Sequence, residues 1–186
     1  MKVSVGISNH HIHLSEEDYH ILFQDREFLV RNKLKQPGQF ASKLVVDVLT
    51  KKGVIKNVRV LGPNRSYTQV ELSMTDCYKL GINPPVRDSG NLRGASLVTI
   101  KTPYGSIERS AAIIATRHIH VNEKIRQEKG LVGIDEVSIK ITGKKSGILE
   151  HVYLKDSHDA YFELHLDTDD ANAFLLKNGN RVEIIL

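Results

Sequence analysis

The sequence predicts a mainly β protein made of two related halves. Short runs of alternating apolar residues recur along the chain, separated by Gly, Pro and Asn. Helix signals are few and short, and one block of sequence occurs twice. At 186 residues, the chain can form one compact body or two small domains. Many short strands with regular turns favour barrels or sandwiches over a parallel doubly wound sheet.

The alternation of apolar and other residues predicts the strands. In the first strand, residues 2–8, Val3, Val5 and Ile7 share one face. Further strands are predicted at 44–49, 54–61, 67–72, 97–101, 107–115, 137–141, 148–154, 161–166 and 181–186. Turn residues separate these strands, as at Gly62-Pro63-Asn64 and Asn178-Gly179-Asn180.

Three short helices are predicted from their capping residues. Ser15 to Asp18 resembles a capping box in front of residues 19–23. A second helix opens at Thr75-Asp76 and ends at Gly81, and a third runs from Thr168 through Leu176.

An internal repeat is the strongest indication of how the chain is organised. Residues 7–16 match residues 114–123 at a constant offset of 107 (118 − 11 and 120 − 13). A looser match pairs Glu71-Leu72 with Glu163-Leu164, and Thr75-Asp76 with Thr168-Asp169. The repeat predicts two halves with pseudo-two-fold symmetry, residues 1–92 and 93–186, which meet where Pro and Gly are concentrated.

Composition excludes several classes of protein. The formal net charge is +4, and the basic residues are spread along the chain, so we expect no nucleic-acid partner. A single cysteine allows neither an intramolecular disulfide nor a thiolate metal cluster. We find no signal peptide and no apolar run long enough to cross a membrane, so a cytoplasmic protein without membrane partners is expected.

Both copies of the repeat contain the motif His-x-His. Alternation along a strand places both imidazoles of such a motif on one face, where they can bind a zinc-like ion. One motif alone is more often a pair of ordinary half-buried histidines. Two copies, His11/His13 and His118/His120, within an otherwise diverged repeat favour metal binding.

Glu71 and His165 are the candidate third ligands. In the looser match Glu71 aligns with Glu163, so His165 lies two residues further on but on the same strand face. The predicted sets are His11/His13/Glu71 and His118/His120/His165. Three protein ligands with an open position are typical of catalytic zinc.

Other polar residues receive simpler interpretations. Arg65 follows a Gly-Pro turn and precedes Glu71 by an even number of residues, so it could hold a phosphate or carboxylate beside a metal. His20 is expected on a helix surface, and His151 and His158 have no partner at ligand spacing. Cys77 is expected to be a buried structural thiol rather than a nucleophile.

Six segments taken together resemble the phosphate propanoyltransferases of the PduL type, a family of phosphotransacylases. The segments are residues 5–15, 58–63, 68–71, 84–90, 117–120 and 163–169, and they follow the family's order through nearly the whole chain. The resemblance implies two small β-barrels with short capping helices, and it leaves open an exchange of strands between the halves. It also implies a dinuclear metal site, with two Zn²⁺ per chain held by the two predicted ligand sets.

The resemblance further implies roles for four residues. Arg65 falls at the family's phosphate-binding arginine, and Ser8, Arg59 and Asn172 fall along the groove for the substrate coenzyme A. One departure is His10, which stands where the family generally has an arginine, as Arg117 does before the second motif. The loss of a permanent charge there could weaken anion binding or change metal occupancy.

The expected reaction is direct transfer of a short acyl group between coenzyme A and inorganic phosphate, as in propanediol degradation. Two alternatives stay open: a dinuclear metallohydrolase, and a catalytically idle metal- or nucleotide-binding module. The partners expected are the small-molecule substrates, and a homodimer is left open. The chain begins almost at the first motif, without the extension that targets family members to bacterial microcompartments, which favours a free cytoplasmic form.

Overall fold

A computed structural model describes residues 1–24, 26–157 and 161–186, and the interpretation of His158 lies outside this range. The strands are β1 Lys2–Ser8, β2 His11–Ser15, β3 Val30–Lys33, β4 Phe40–Leu49, β5 Val54–Arg65, β6 Gln69–Glu71, β7 Val86–Arg87, β8 Ser96–Lys101, β9 Ser106–Ala115, β10 His118–Val121, β11 Glu136–Ile141, β12 Gly147–Asp156, β13 Glu163–Asp167 and β14 Arg181–Ile185. The helices are α1 Glu16–Phe23, α2 Met74–Leu80, α3 Glu123–Lys129 and α4 Thr168–Ala173. The protein is therefore mainly β, as predicted.

The chain divides into two compact units. The central unit is Asn9–Ala115, and the terminal unit combines Met1–Ser8 with Thr116–Leu186. The units do not follow the halves 1–92 and 93–186, because β1 belongs to the terminal unit and residues 93–115 belong to the central one. The division into those two related halves stays a prediction.

Six strands of the central unit form a closed barrel. The pairing runs from β4 through β5, β2, β6, β9 and β8, and β8 pairs with β4 to close it. β3 pairs with β4 and β7 with β9 outside this ring. Closure leaves the six barrel strands without an open edge.

The terminal unit repeats this architecture. Its closed barrel has the order β1-β13-β10-β12-β11-β14, and β1 pairs with β14. In the two barrels β2 corresponds to β10, β6 to β13 and β9 to β1. Each His-x-His strand therefore follows, in sequence, a strand that belongs to the other unit.

Each barrel has its own apolar core, built from the inward faces of its strands. In the central unit Val58, Val60 and Val70 are fully buried. In the terminal unit Val5 and Ile139 are likewise fully buried. This is the alternation that the sequence shows, with branched residues directed inward.

The helices begin at side-chain caps. Ser15, Ser73, Asn122 and Asp167 each accept a hydrogen bond from the backbone N–H three residues later. α2 starts one residue before the predicted Thr75, and α4 ends at Ala173 rather than Leu176. Within the described residues, no helix has the length and low polarity needed to cross a bilayer.

The predicted turn at Gly62-Pro63-Asn64 was wrong, because β5 continues through it to Arg65. The pairing between β2 and β5 shifts register here, between His13 and Ser15. Such a bulge accommodates a proline, which has no N–H to donate. Gly62 lies opposite Phe40, whose ring fills the space that a side chain at residue 62 would need. Arg65 is therefore the last residue of β5, whereas the sequence predicted that this strand would end at residue 61.

Candidate metal centres

The first cluster of potential ligands lies in the central unit. β2 and β6 pair antiparallel with His11 opposite Glu71, so His11, His13 and Glu71 share one face. The Nδ1 of His11 lies 2.9 Å from the carbonyl oxygen of Asn9, and its Nε2 lies 3.4 Å from Oε2 of Glu71. The three potential ligand atoms lie within 4.8 Å of one another.

The second cluster lies in the terminal unit and has the same construction. β10 and β13 pair antiparallel with His118 opposite His165. The Nδ1 of His118 lies 2.8 Å from the carbonyl oxygen of Thr116, which is again the residue two positions earlier. The rings of His118, His120 and His165 have centroids 4.8–5.1 Å apart. Their potential ligand atoms also lie within 4.8 Å of one another.

The donor atoms of the second cluster fit a zinc ion. The Nε2 atoms of His118 and His120 are 3.3 Å apart. Two nitrogens bound to tetrahedral zinc at about 2.0–2.1 Å would be separated by about the same distance. A backbone carbonyl that accepts from Nδ1–H fixes the tautomer and leaves the Nε2 lone pair for a metal. His11 and His118 both have this arrangement.

Burial keeps one of these imidazoles neutral. Burial, together with the neighbouring His118 and His165, lowers the pKa of His120 to about 3. The Nδ1 of His120 is buried and has no hydrogen-bond partner in the described structure. Metals bind neutral imidazole, so His120 is in the protonation state that a ligand requires.

The structure corrects the predicted alignment of the third ligands. Glu71 lies opposite the first histidine of its motif, as His165 does in the other unit, so these two residues are equivalent. The helix caps agree, because Ser73 lies two residues after Glu71 and Asp167 lies two residues after His165. The residue equivalent to Glu163 is therefore Gln69. The matching Glu-Leu pairs in the sequence misplaced the alignment by two residues.

A buried amide connects Glu71 to Arg65. The Nε2 of Gln69 donates to Oε1 of Glu71 at 2.7 Å and to the hydroxyl of Ser89 at 2.8 Å. Arg65, at the end of β5, donates from one nitrogen to Ser89 and to the hydroxyl of Tyr67, both at 3.0 Å. A chain of hydrogen bonds thus runs from the guanidinium through Ser89 and Gln69 to the third ligand of the central cluster.

Tyr161 contacts the terminal cluster. Its hydroxyl lies 2.6 Å from Nε2 of His165, and its ring stacks on His120 with centroids 5.3 Å apart. Burial, with a smaller contribution from Glu163, raises the pKa of Tyr161. The neutral phenol can therefore donate a hydrogen bond at the edge of this cluster.

His10 has a structural counterpart in Arg117. Arg117 binds Asp170 through two hydrogen bonds of 2.8 Å, and the Nδ1 of His10 lies 3.0 Å from Asp76. Asp76 and Asp170 occupy the same position in α2 and α4, three residues after the helix cap. The residue before each His-x-His motif therefore contacts an acidic helix residue, and in the central unit an imidazole replaces the guanidinium.

The remaining predicted site residues lie in both units. Ser8 ends β1 and Asn172 lies exposed on α4, both in the terminal unit. Arg59 lies on β5 beside His11 and donates from one nitrogen to the carbonyl oxygens of Ser42 and Lys43. Burial, and then the nearby charge of Arg31, lower the pKa of Arg59.

His20, His151 and Cys77 match their simpler interpretations. His20 is exposed on α1, and the exposed His151 contacts Glu136 at 2.8 Å. Cys77 is fully buried in the central core. Sequence reasoning missed Gln69, Ser89 and Tyr161. The only signal for Gln69 was its spacing of two residues from Glu71, which places both on one face of β6.

The fold and the clusters define a protein of two β-barrels, each with one three-ligand cluster suited to a metal. A family model for phosphate propanoyltransferases matches residues 4–177. Phosphate propanoyltransferases of Thermotoga maritima and Salmonella typhimurium are 43% and 42% identical to the chain. The alignments cover 98% and 92% of this chain and 89% and 82% of those proteins. The chain belongs to the phosphate propanoyltransferase family and is an acyltransferase.

Proposed function

We propose that the chain transfers a short acyl group, propanoyl or acetyl, between coenzyme A and inorganic phosphate, and that each cluster holds one zinc ion. The observation that carries this proposal is the pair of equivalent three-ligand clusters, one of them connected by hydrogen bonds to Arg65. Family membership indicates the class of reaction. The clusters could bind zinc, and Arg65 could bind phosphate beside it.

Zinc is the metal that the ligands favour. Five of the six candidate ligands are histidines, and an imidazole-rich set with three protein ligands is typical of zinc with an open position. Zinc bound in this way supplies a Lewis acid for a phosphate oxygen or for the thioester carbonyl. Glu71 lowers the net charge of the central site, whereas the terminal ligand set is three imidazoles.

Arg65 is proposed to bind the phosphate. Its contacts with Tyr67, Ser89 and Gln39 hold the guanidinium in place, and its two remaining N–H groups stay available to an anion. A guanidinium held in this way can bind phosphate through two parallel hydrogen bonds. The connection through Ser89 and Gln69 fixes Arg65 relative to Glu71. Phosphate would then be bound in one orientation. Holding a reactant in the geometry needed for attack lowers the barrier to the reaction.

Coenzyme A is proposed to contact Ser8, Arg59 and Asn172. Arg59 stays cationic at neutral pH although its pKa is lowered, so it can attract the phosphates of the nucleotide portion. In the terminal unit, the side chains of Ser8 and Asn172 can donate hydrogen bonds to coenzyme A.

Direct attack by phosphate is proposed in preference to an acylated enzyme. Cys77, the single cysteine, is fully buried in the central core, so its thiol cannot reach a thioester. A phosphate oxygen would form the new bond to the carbonyl carbon, and the carbon–sulfur bond would break to release the thiolate of coenzyme A. Arg65 would offset the charge of the attacking phosphate throughout.

The test is the loss of thioester from propanoyl-CoA and acetyl-CoA by the zinc-loaded protein, with and without phosphate. We expect turnover that depends on phosphate and yields acyl phosphate. Thioester cleavage at the same rate without phosphate would identify a metallohydrolase instead. No turnover of either thioester, despite two bound zinc ions, would favour an idle binding module.

A substitution at Gly6 tests the terminal zinc site from a neighbouring strand. Gly6 pairs with His165, and a Cβ added at residue 6 would lie 2.8 Å from Oε2 of Glu163 and 3.3 Å from Cδ2 of His165. Gly6→Ala should displace these side chains and weaken zinc binding in the terminal unit by about tenfold, the lower end of the usual effect around a metal.

Chelator competition would measure this change, with the zinc affinity of the central cluster as the internal control. The closest atom belongs to the end of a flexible side chain, so the thermal midpoint should change little. Unchanged zinc affinity at both clusters would show that Gly6 does not support the site.

A further inference from the structure

Each cluster has a buried polar residue two positions before its proposed third ligand, on the same strand. Gln69 precedes Glu71 by two positions on β6, and Glu163 precedes His165 by two on β13. The two positions are equivalent, because the third ligands are equivalent. Gln69 is 0% exposed and Glu163 is 4% exposed. Polar residues are rarely buried to this extent unless their hydrogen bonds are used.

The amide of Gln69 is fully engaged. Its Nε2 donates to Glu71 and Ser89, and its Oε1 accepts from the backbone N–H of Gly90 at 2.7 Å. The bond to Glu71 uses Oε1 of that carboxylate. It leaves Oε2 on the side of His11, whose Nε2 is 3.4 Å away. The amide therefore selects which oxygen of Glu71 faces the imidazoles.

Glu163 supports a different ligand in the same place. Its Oε2 lies 3.5 Å from Nε2 of His165, and the hydroxyl of Ser4 lies 3.5 Å from its Oε1. A Cβ at residue 6 would lie 2.8 Å from its Oε2, so the observed position of this carboxylate requires glycine at residue 6. A carboxylate against one ring nitrogen orients a histidine and raises the basicity of the other nitrogen. With Glu163 and the Tyr161 hydroxyl both at Nε2, Nδ1 of His165 would be the nitrogen left for the metal.

The two units differ at both equivalent positions, and the two differences balance each other in charge. The central ligand set contains a carboxylate and has a neutral amide behind it, whereas the terminal set contains three imidazoles and has a carboxylate behind it. A second acid at residue 69 would lie within hydrogen-bond distance of Glu71 and repel it. An amide at residue 163 would remove the acid next to the terminal cluster. Each cluster thus keeps one carboxylate, as a direct ligand in one unit and behind the ligand in the other.

We propose that Gln69 and Glu163 are positioning residues that orient the third metal ligand of their units and complete the charge of each site. The proposal rests on the proposed function, because it assumes that the clusters bind zinc. The amide of Gln69 lies in the central unit, whose proposed third ligand is the acid Glu71. The acid Glu163 lies in the terminal unit, whose proposed third ligand is His165.

The experiment uses full-length proteins that retain one cluster each. His118→Ala with His120→Ala leaves the central cluster, and His11→Ala with His13→Ala leaves the terminal one. Zinc affinity is measured by competition with a chromophoric chelator, and ligand geometry is followed in the absorption spectrum of the Co²⁺-loaded protein. These readouts do not depend on enzymatic turnover.

Gln69→Met should weaken zinc binding by about 10–100-fold in the protein that retains the central cluster, the usual effect of losing such a partner. Glu163→Gln, which keeps the side-chain shape, should have an effect of the same size on the terminal cluster. Gln69→Met in the protein that retains only the terminal cluster, and Glu163→Gln in the protein that retains only the central cluster, should leave zinc affinity unchanged. Ser89→Ala is the matched control, because it removes a partner of Gln69 but keeps the bond to Glu71, so zinc affinity should not change.

The outcomes separate this proposal from the proposed function. Unchanged affinity and an unchanged Co²⁺ spectrum in folded Gln69→Met and Glu163→Gln proteins would overturn the positioning role alone. An equal loss in Ser89→Ala would assign the effect to the loop and overturn the role of Gln69. If the parent single-cluster proteins bind no zinc, the metal assignment itself is wrong and the positioning role falls with it. Should Gln69→Met not fold, the shape-preserving Glu163→Gln decides the result.

Discussion

His118→Ala should reduce the zinc content from two ions per chain to one and lower kcat/KM on the order of 10³-fold, because metal polarisation contributes several kcal/mol to a transition state. His118 is one of the three proposed ligands of the terminal cluster, and its Nε2 lies 3.3 Å from that of His120. We expect the two remaining imidazoles to lose zinc during purification, because zinc sites in proteins have three or four protein ligands. Elemental analysis and steady-state kinetics would measure both effects. His11→Ala should give the same result in the central unit.

His151→Asn is the matched control for this prediction. His151 is an exposed histidine of the same unit, 2.8 Å from Glu136 and outside the cluster. Its φ of 56° lies in the left-handed region, which asparagine tolerates better than alanine. Zinc content and activity should stay at the parent values. Two zinc ions and full activity in His118→Ala would contradict the assigned ligand set.

Arg65→Lys should raise the KM for phosphate and lower kcat/KM by about 10²-fold, because an ammonium cannot reproduce the two parallel hydrogen bonds of a guanidinium. The variant also loses the fixed contacts with Tyr67 and Ser89. Initial rates at varied phosphate and fixed thioester would measure the change. The KM for the thioester and the zinc content should change little, since Arg65 is not a ligand.

Arg181→Lys provides the comparison, because Arg181 is an exposed arginine on β14 with no contact to either cluster in the described structure. Its kinetics should match the parent protein. If Arg65→Lys keeps the parent KM for phosphate, another cation binds that substrate. If it loses zinc, the residue acts on the central cluster through Gln69 rather than on phosphate.

The strands that build the barrels were predictable because their alternation reports burial on one face. β1 begins and ends as predicted, and β8 and β14 differ by a single residue at one end. β3 was missed because all four of its residues are exposed, so no apolar alternation marks it. β7 was missed because it contains only Val86 and Arg87. Periodicity detects strands only where burial imposes it.

The grouping of the candidate ligands was predictable from strand geometry, whereas their surroundings were not. His-x-His fixes two imidazoles on one face by local geometry alone, and the structure places each predicted third ligand opposite the first histidine. The equivalence of Glu71 and His165 could not be derived, because it depends on the pairing register between distant strands. The contact between Gln69 and Ser89 depends in the same way on where a loop twenty residues later returns to the strand.

The place of β1 in the terminal barrel has a consequence for the order of assembly. The central unit is continuous and can close as soon as residue 115 has left the ribosome. The terminal barrel must wait for its last strand, since β1 pairs with β13 and β14 across almost the entire chain. Such distant pairing slows folding. Met1 accepts a hydrogen bond from the amide of Ile184, so a short linker could join the ends. A circular permutant that starts at residue 116 would make the terminal unit continuous as well.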